Sequence, residues 1–131
     1  MRTAFRTCLV LVATLAVAAP GCTDGAGGLP DELLGSWGDT CCGGCVRTFT
    51  FEAQQVIYSE TCPATGSGGY DADVAEVDLE ARMFRTTNSM WFAWYRDGGT
   101  LYLYKTNPGQ PRPVLADGWW TSSAHYVLAR R

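Results

Sequence analysis

Cysteine is the residue type with the most chemistry to offer in this chain, and position sorts the six present. Cys8 and Cys22 belong to an apolar N-terminal stretch and its end. Cys41, Cys42, Cys45 and Cys62 remain, an even number that reads as two disulfides in an exported protein. Neighbouring strand residues point to opposite faces, so Cys41 and Cys42 are expected to serve different partners. That leaves 41–45 with 42–62, or 41–62 with 42–45. A bond between the adjacent Cys41 and Cys42 is strained and the least expected pairing. A bridge from residue 41 or 42 to Cys62 closes about 20 residues and contributes ~3 kcal/mol. Cys42-Gly43-Gly44-Cys45 also has the spacing of a redox pair, but such pairs open a helix inside a βαβ unit, and nothing here supplies the helix. Zinc wants two spaced pairs, and Cys62 stands alone, so no metal is expected.

The remaining polar candidates are weaker. Asp71, Asp73, Glu76, Asp78 and Glu80 lack the oxygen spacing and turn glycine of a calcium loop. The period of two in Glu76, Asp78 and Glu80 reads instead as the wet face of a strand. His125 is the sole histidine, and neither G-x-S-x-G nor H-E-x-x-H occurs, so no catalytic set is expected and the chain does not read as an enzyme. No cofactor is implied. A net charge of −3 argues against a nucleic-acid partner.

Aromatic residues carry more information. Trp91 and Tyr95 share one strand face, and Phe92 and Trp94 share the other. Tyr102 and Tyr104 share a face of the next strand. A strand aromatic on both sides has more apolar surface than one core uses. Trp91, Trp94, Tyr102, Tyr104, Trp119 and Trp120 are therefore candidates to line a ligand cavity, a sugar-stacking platform or a partner interface, set against plain core filling.

The elements that must hold these residues read as strands. The expected strands are 35–40, 46–51, 55–60, 74–80, 82–87, 90–96, 100–105 and 123–130, chosen for β-branched and aromatic alternation. Asp97-Gly98-Gly99 is a hairpin signal. Three prolines in 107–118 mark a loop. Eight strands in about a hundred residues, without a competing helical period, indicate an all-β antiparallel meander. The length of 131 residues allows one domain, residues 29–131.

Before that domain, Arg2 and Arg6 precede a 12-residue apolar run, Cys8 to Ala19, which fits a secretory signal and is too short to span a bilayer. The sequence Ala18-Ala19-Pro20-Gly21-Cys22 resembles the processing site of a bacterial lipoprotein. That resemblance implies a signal peptide over 1–21, outside the fold, and a lipid on Cys22. Residues 22–28 then form a flexible Gly-rich tether. The implied location is the bacterial cell envelope, lipid-anchored on its periplasmic or surface side; plain secretion is the alternative. Loss of Arg2 and Arg6 leaves the mature chain more acidic still.

The turn Pro30–Leu34 leads into Gly35-Ser36-Trp37, an order that resembles the start of lipocalins and of calycins more widely. The resemblance implies an up-and-down β-barrel closed at one end by Trp37, with Arg130 of the last strand packed across the indole and Gly35 completing the motif. The function it implies is a membrane-tethered barrel that binds a small apolar ligand or an envelope component. The alternative is a filled barrel that serves as a structural or protein-interaction lipoprotein.

Overall fold

A computed structural model describes residues 27–131. The expected signal peptide over 1–21, the expected lipid site Cys22 and the expected tether up to residue 26 lie outside the described residues. Eight strands follow in order: β1 (Gly35–Cys41), β2 (Cys45–Glu52), β3 (Gln55–Cys62), β4 (Gly66–Asp78), β5 (Met83–Thr86), β6 (Trp91–Asp97), β7 (Thr100–Lys105) and β8 (Tyr126–Arg130). Each pairs antiparallel with its sequence neighbours, and β8 returns to β1, so the sheet is a closed eight-stranded meander barrel. Closure leaves no open sheet edge, which protects an all-β chain from pairing with other chains.

The inward positions follow the period of two. Trp37, Phe49, Phe51, Val56, Ala72, Val74, Phe84, Phe92, Trp94, Leu101, Leu103 and Leu128 form one buried cluster. Their rings interlock: Phe84 stacks on Phe92 with centroids 4.7 Å apart, and Phe49 meets Tyr126 edge-on at 4.9 Å. The barrel axis is thus occupied by side chains along this length.

Two strands begin several residues away from where they are expected. β4 starts at Gly66, eight residues before the expected start at Val74. Gly68 and Gly69 stand in this ladder, and a Cβ on Gly69 would collide with the Tyr58 carbonyl, so the close approach of β3 and β4 needs glycine there. A register shift between Val74 and Glu76 then turns Val77 inward, leaving Glu76 to bind Arg85 at 2.8 Å. β8 starts at Tyr126 rather than at Ser123.

One end of the barrel is plugged. Residues Thr-free and short, 30–33 make a single turn whose Leu33 is fully buried, and Leu29 beside it is nearly so. Trp37 is 0% exposed, and its indole N–H donates to the Leu33 carbonyl at 2.9 Å. Arg130 pairs with Trp37 across the β1–β8 seam, with its guanidinium 4.0 Å from the indole centroid. Arg96 approaches the same ring at 5.3 Å. Trp94 donates to the Glu32 carboxylate at 2.6 Å, and Arg96 donates to the Glu32 carbonyl at 3.0 Å. Gly35 has φ +111°, and a Cβ there would stand 2.5 Å from Arg130 Nη1. The positive φ is what calls for glycine here, and a Cβ would in addition push the arginine that covers it aside.

Trp37→Ala is expected to cost ~3–5 kcal/mol in chemical denaturation, the scale of a large ring removed from a packed core. Arg130→Ala should cost less, because the lost guanidinium, stacked on the indole and donating to the Leu34 carbonyl, faces solvent. Gly35→Ala should destabilise by at least ~1 kcal/mol, through strain at positive φ. A Trp37→Ala cost below that of Arg130→Ala would contradict a closed end organised around the indole.

Candidate functional site

β6 is aromatic on both faces because each face has its own core. Phe92 and Trp94 point into the barrel. Trp91 and Ala93 point outward, yet both are buried, with Met83, Tyr104, Leu115 and Trp119 in a second apolar cluster. The cover is the segment between β7 and β8, residues 106–125. It is long for a connection with little regular structure, and such segments generally bind or cover something. Pro108, Pro111 and Pro113 keep it out of the sheet.

Specific anchors hold this strap against the wall. Thr106 is buried and its hydroxyl accepts the Trp91 N–H at 2.9 Å. Arg112 reaches Asp78 at 2.9 Å and lies 5.1 Å from the Trp91 ring centroid. Gly118, left-handed at φ 74°, turns the chain into a 3-10 turn over Trp119–Thr121. That turn sets Trp120 flat on Tyr95, with centroids 3.6 Å apart, and stands Trp119 edge-on to Tyr104.

Between strap and wall lies a groove of about 330 Å³. Trp94, Tyr95, Trp119 and Trp120 supply its aromatic residues, and Glu80, Arg82 and Asp117 supply charged groups. Flat faces beside carboxylates and a guanidinium can stack a ring and hydrogen-bond its hydroxyls.

The six aromatic candidates therefore divide. Trp94 is a core residue tied to Glu32, and it also contributes to the lining of the outer groove. Trp91, Tyr102, Tyr104, Trp119 and Trp120 belong to the outer side, where Trp119 and Trp120 reach the groove. Sequence reasoning missed Tyr95, Arg82, Glu80 and Asp117 as groove residues. The signal for Tyr95 was its outward parity with Trp91; nothing local marks the other three.

The end of the barrel away from Trp37 is polar. Arg47 and Asp39, opposite each other on β2 and β1, make a two-bonded pair at 2.9 and 2.6 Å. The Arg47 guanidinium lies 4.7 Å from the Tyr126 ring centroid. Tyr58, Tyr70 and Tyr126 cluster here, and the Tyr58 hydroxyl donates to Glu60. Burial pushes all three phenols up from their ordinary value, with the Glu60 bond adding to the effect at Tyr58.

Cysteine pairing differs from the expectation. Cys41 bonds to its neighbour Cys42, and Cys45 bonds to Cys62. The opposite-face argument fails because Cys42 is not in a strand: β1 ends at Cys41, and Cys42 sits in the turn at φ +46°. Gly43 and Gly44, also at positive φ, complete the reversal. Cys45 and Cys62 stand across from each other one step beyond the Val46–Thr61 pair, with Cα atoms 4.1 Å apart. Glu60 lies within 4.8 Å of both sulfurs, but the disulfide removes the thiolates a metal would need.

No protein-family model, no curated protein and no solved structure matches this chain. The barrel, its plugged end and its strapped outer face define the site by geometry alone.

Replacing Cys45 and Cys62 together by alanine should cost about 3 kcal/mol, the loop-closure value for a bridge of this span. Replacing Cys41 and Cys42 by serine should cost little, since a bond between neighbours closes no chain loop. Denaturant midpoints of the two double variants check the contrast, and an equal loss would refute it.

The phenols give a pH test. Tyrosines that keep their protons longer in the fold leave stability intact below about pH 10, and it is lost as pH climbs through their raised values. Burial lowers Lys105, which works in the opposite sense as a single group against three. Urea midpoints from about pH 8 to about pH 11 should therefore fall. Tyr58→Phe, Tyr70→Phe and Tyr126→Phe together should flatten that fall.

Proposed function

We propose that this protein is a lipid-anchored interaction module of the bacterial cell envelope, which takes its ligand on the outside of the barrel. The supporting observation is the groove between the 106–125 strap and the wall, where Tyr95, Trp119 and Trp120 meet Glu80, Arg82 and Asp117. A ligand that joins flat apolar faces to hydroxyls suits this lining, as sugar rings of envelope glycans do. The sequence supports the address: the apolar run ending in Gly21-Cys22 resembles a lipoprotein signal. The resemblance to the calycins extends to the turn–Gly–x–Trp order and the arginine over the indole, both found at the plugged end.

An apolar ligand held inside the barrel is the less favoured reading. It would have to displace Phe49, Phe84 and Phe92 from their mutual contacts. The groove needs no such rearrangement.

Metabolic labelling with a fatty-acid analogue should mark the exported protein, and Cys22→Ser should abolish the mark. Soluble peptidoglycan fragments should change tryptophan emission, and Trp120→Ala should weaken that response by about tenfold, the scale of one lost aromatic stack in a binding site. Saturable binding of a fatty acid that survives Trp120→Ala would favour the interior instead. An unlabelled wild-type protein would overturn the anchored reading.

A further inference from the structure

We propose that the polar end of the barrel carries a second site, an oxyanion pocket built on Lys105 and His125 that takes a phosphate group. These are the only lysine and the only histidine in the sequence. The fold brings both to one open depression of about 350 Å³, together with Arg47, Asn107 and Gln110. Among the described residues that line it, none is Asp or Glu, in a chain of net charge −3.

Hydrogen-bond accounting leaves donors facing the depression. His125 Nδ1 accepts the Lys105 backbone N–H at 3.1 Å, which assigns the ring proton to Nε2 and makes Nε2 a donor. The ring is braced by stacking on Tyr104, with centroids 4.3 Å apart. Gln110 uses its carbonyl oxygen on the Asn107 N–H at 2.7 Å, so its amide N–H groups remain to donate. Lys105 Nζ donates to the Thr106 carbonyl at 3.3 Å and has two further protons. Arg47 spends Nε and Nη2 on Asp39 and retains Nη1.

The acids nearby are already engaged. Asp39 accepts from Arg47, and Glu60 accepts from Tyr58. Lys105 is partly desolvated, which lowers its pKa, and a bound anion would offset that cost. The donors come from β2, β7, the 107–110 turn and the approach to β8. Such splayed donors suit a tetrahedral oxyanion better than a planar carboxylate. Tyr126 lines the depression, and its ring packs against Phe49 of the filled core at 4.9 Å. The site is thus a rim pocket and not the entrance to a lumen. It uses none of the groove residues and stands or falls separately from the anchored reading.

Calorimetric titration of the full chain with inorganic phosphate, with acetate and with glycerophosphoglycerol tests the site and the source of its ligand. Phosphate should bind more tightly than acetate. Lys105→Gln should weaken phosphate by about tenfold or more, the scale of one charge-assisted hydrogen bond, while Lys105→Arg retains most of the affinity. His125→Phe keeps a ring on Tyr104 and should lose affinity with Nε2, while also removing the Nδ1 acceptor of the Lys105 N–H. Thermal melts of each variant without phosphate separate lost binding from lost folding. Preference for glycerophosphoglycerol supports a phospholipid headgroup as the source, and preference for inorganic phosphate supports a free phosphate ligand. No binding of either, equal binding of acetate, or phosphate affinity unchanged in both Lys105→Gln and His125→Phe would overturn the proposal.

Discussion

The ladder between the first and last strands has the fewest paired residues in the barrel wall, and the indole of Trp37 lies on it. Only Trp37–Arg130 and Gly38–Ala129 pair across β1 and β8, extended by the Arg131 N–H on the Ser36 carbonyl at 2.9 Å. A ladder that short holds two strand ends weakly. The Arg130 guanidinium over the indole adds ~0.5–2 kcal/mol of cation–π attraction at that point. The same guanidinium donates to the Leu34 carbonyl, so one side chain ties β8 to β1 and to the plugging turn. Without this junction the meander would be an open sheet with two exposed edges.

Closure at one seam frees the opposite wall for a different task. β6 carries rings on both faces and needs a second cover, which the 106–125 strap provides. A small domain buries a limited share of its surface. Here a single strand serves two apolar clusters, and the connection that would otherwise be idle loop becomes part of the packing. The residues that line the groove are consequently set by the strap's own anchors, Thr106, Arg112 and Gly118, and not by the barrel alone.

Much of the architecture is legible in the chain. Alternating apolar residues mark seven of the strands within a few positions, and the turn–Gly–x–Trp order points to Trp37 and Arg130 as partners 93 positions apart, as the seam pairing has them. The first half of β4 is illegible because its glycines answer to the Tyr58 backbone, a neighbour in space that sequence does not display. The cysteine pairing is illegible for a related reason: one left-handed residue, Cys42, ends the strand a position before the alternation rule would have it. The groove is half legible. Its rings stand out by type, but Glu80, Arg82 and Asp117 are ordinary turn and loop residues until the strap brings them beside Trp120. Lys105 and His125 are conspicuous only by rarity, and their meeting depends on β7 and β8 being neighbours.

The place where the described chain begins has a consequence for how the whole body stands. Leu29 bonds to the Ala53 carbonyl at 2.8 Å, in the turn between β2 and β3, and so leaves the barrel at its plugged end. Seven residues, 22–28, precede Leu29, and no chain of that length reaches beyond about 25 Å. With a lipid on Cys22, the Trp37 end would rest close over the bilayer like the foot of a goblet. The tyrosine cluster, both disulfides and the Lys105–His125 rim would then point outward, into the aqueous space where soluble molecules and neighbouring envelope layers are met first.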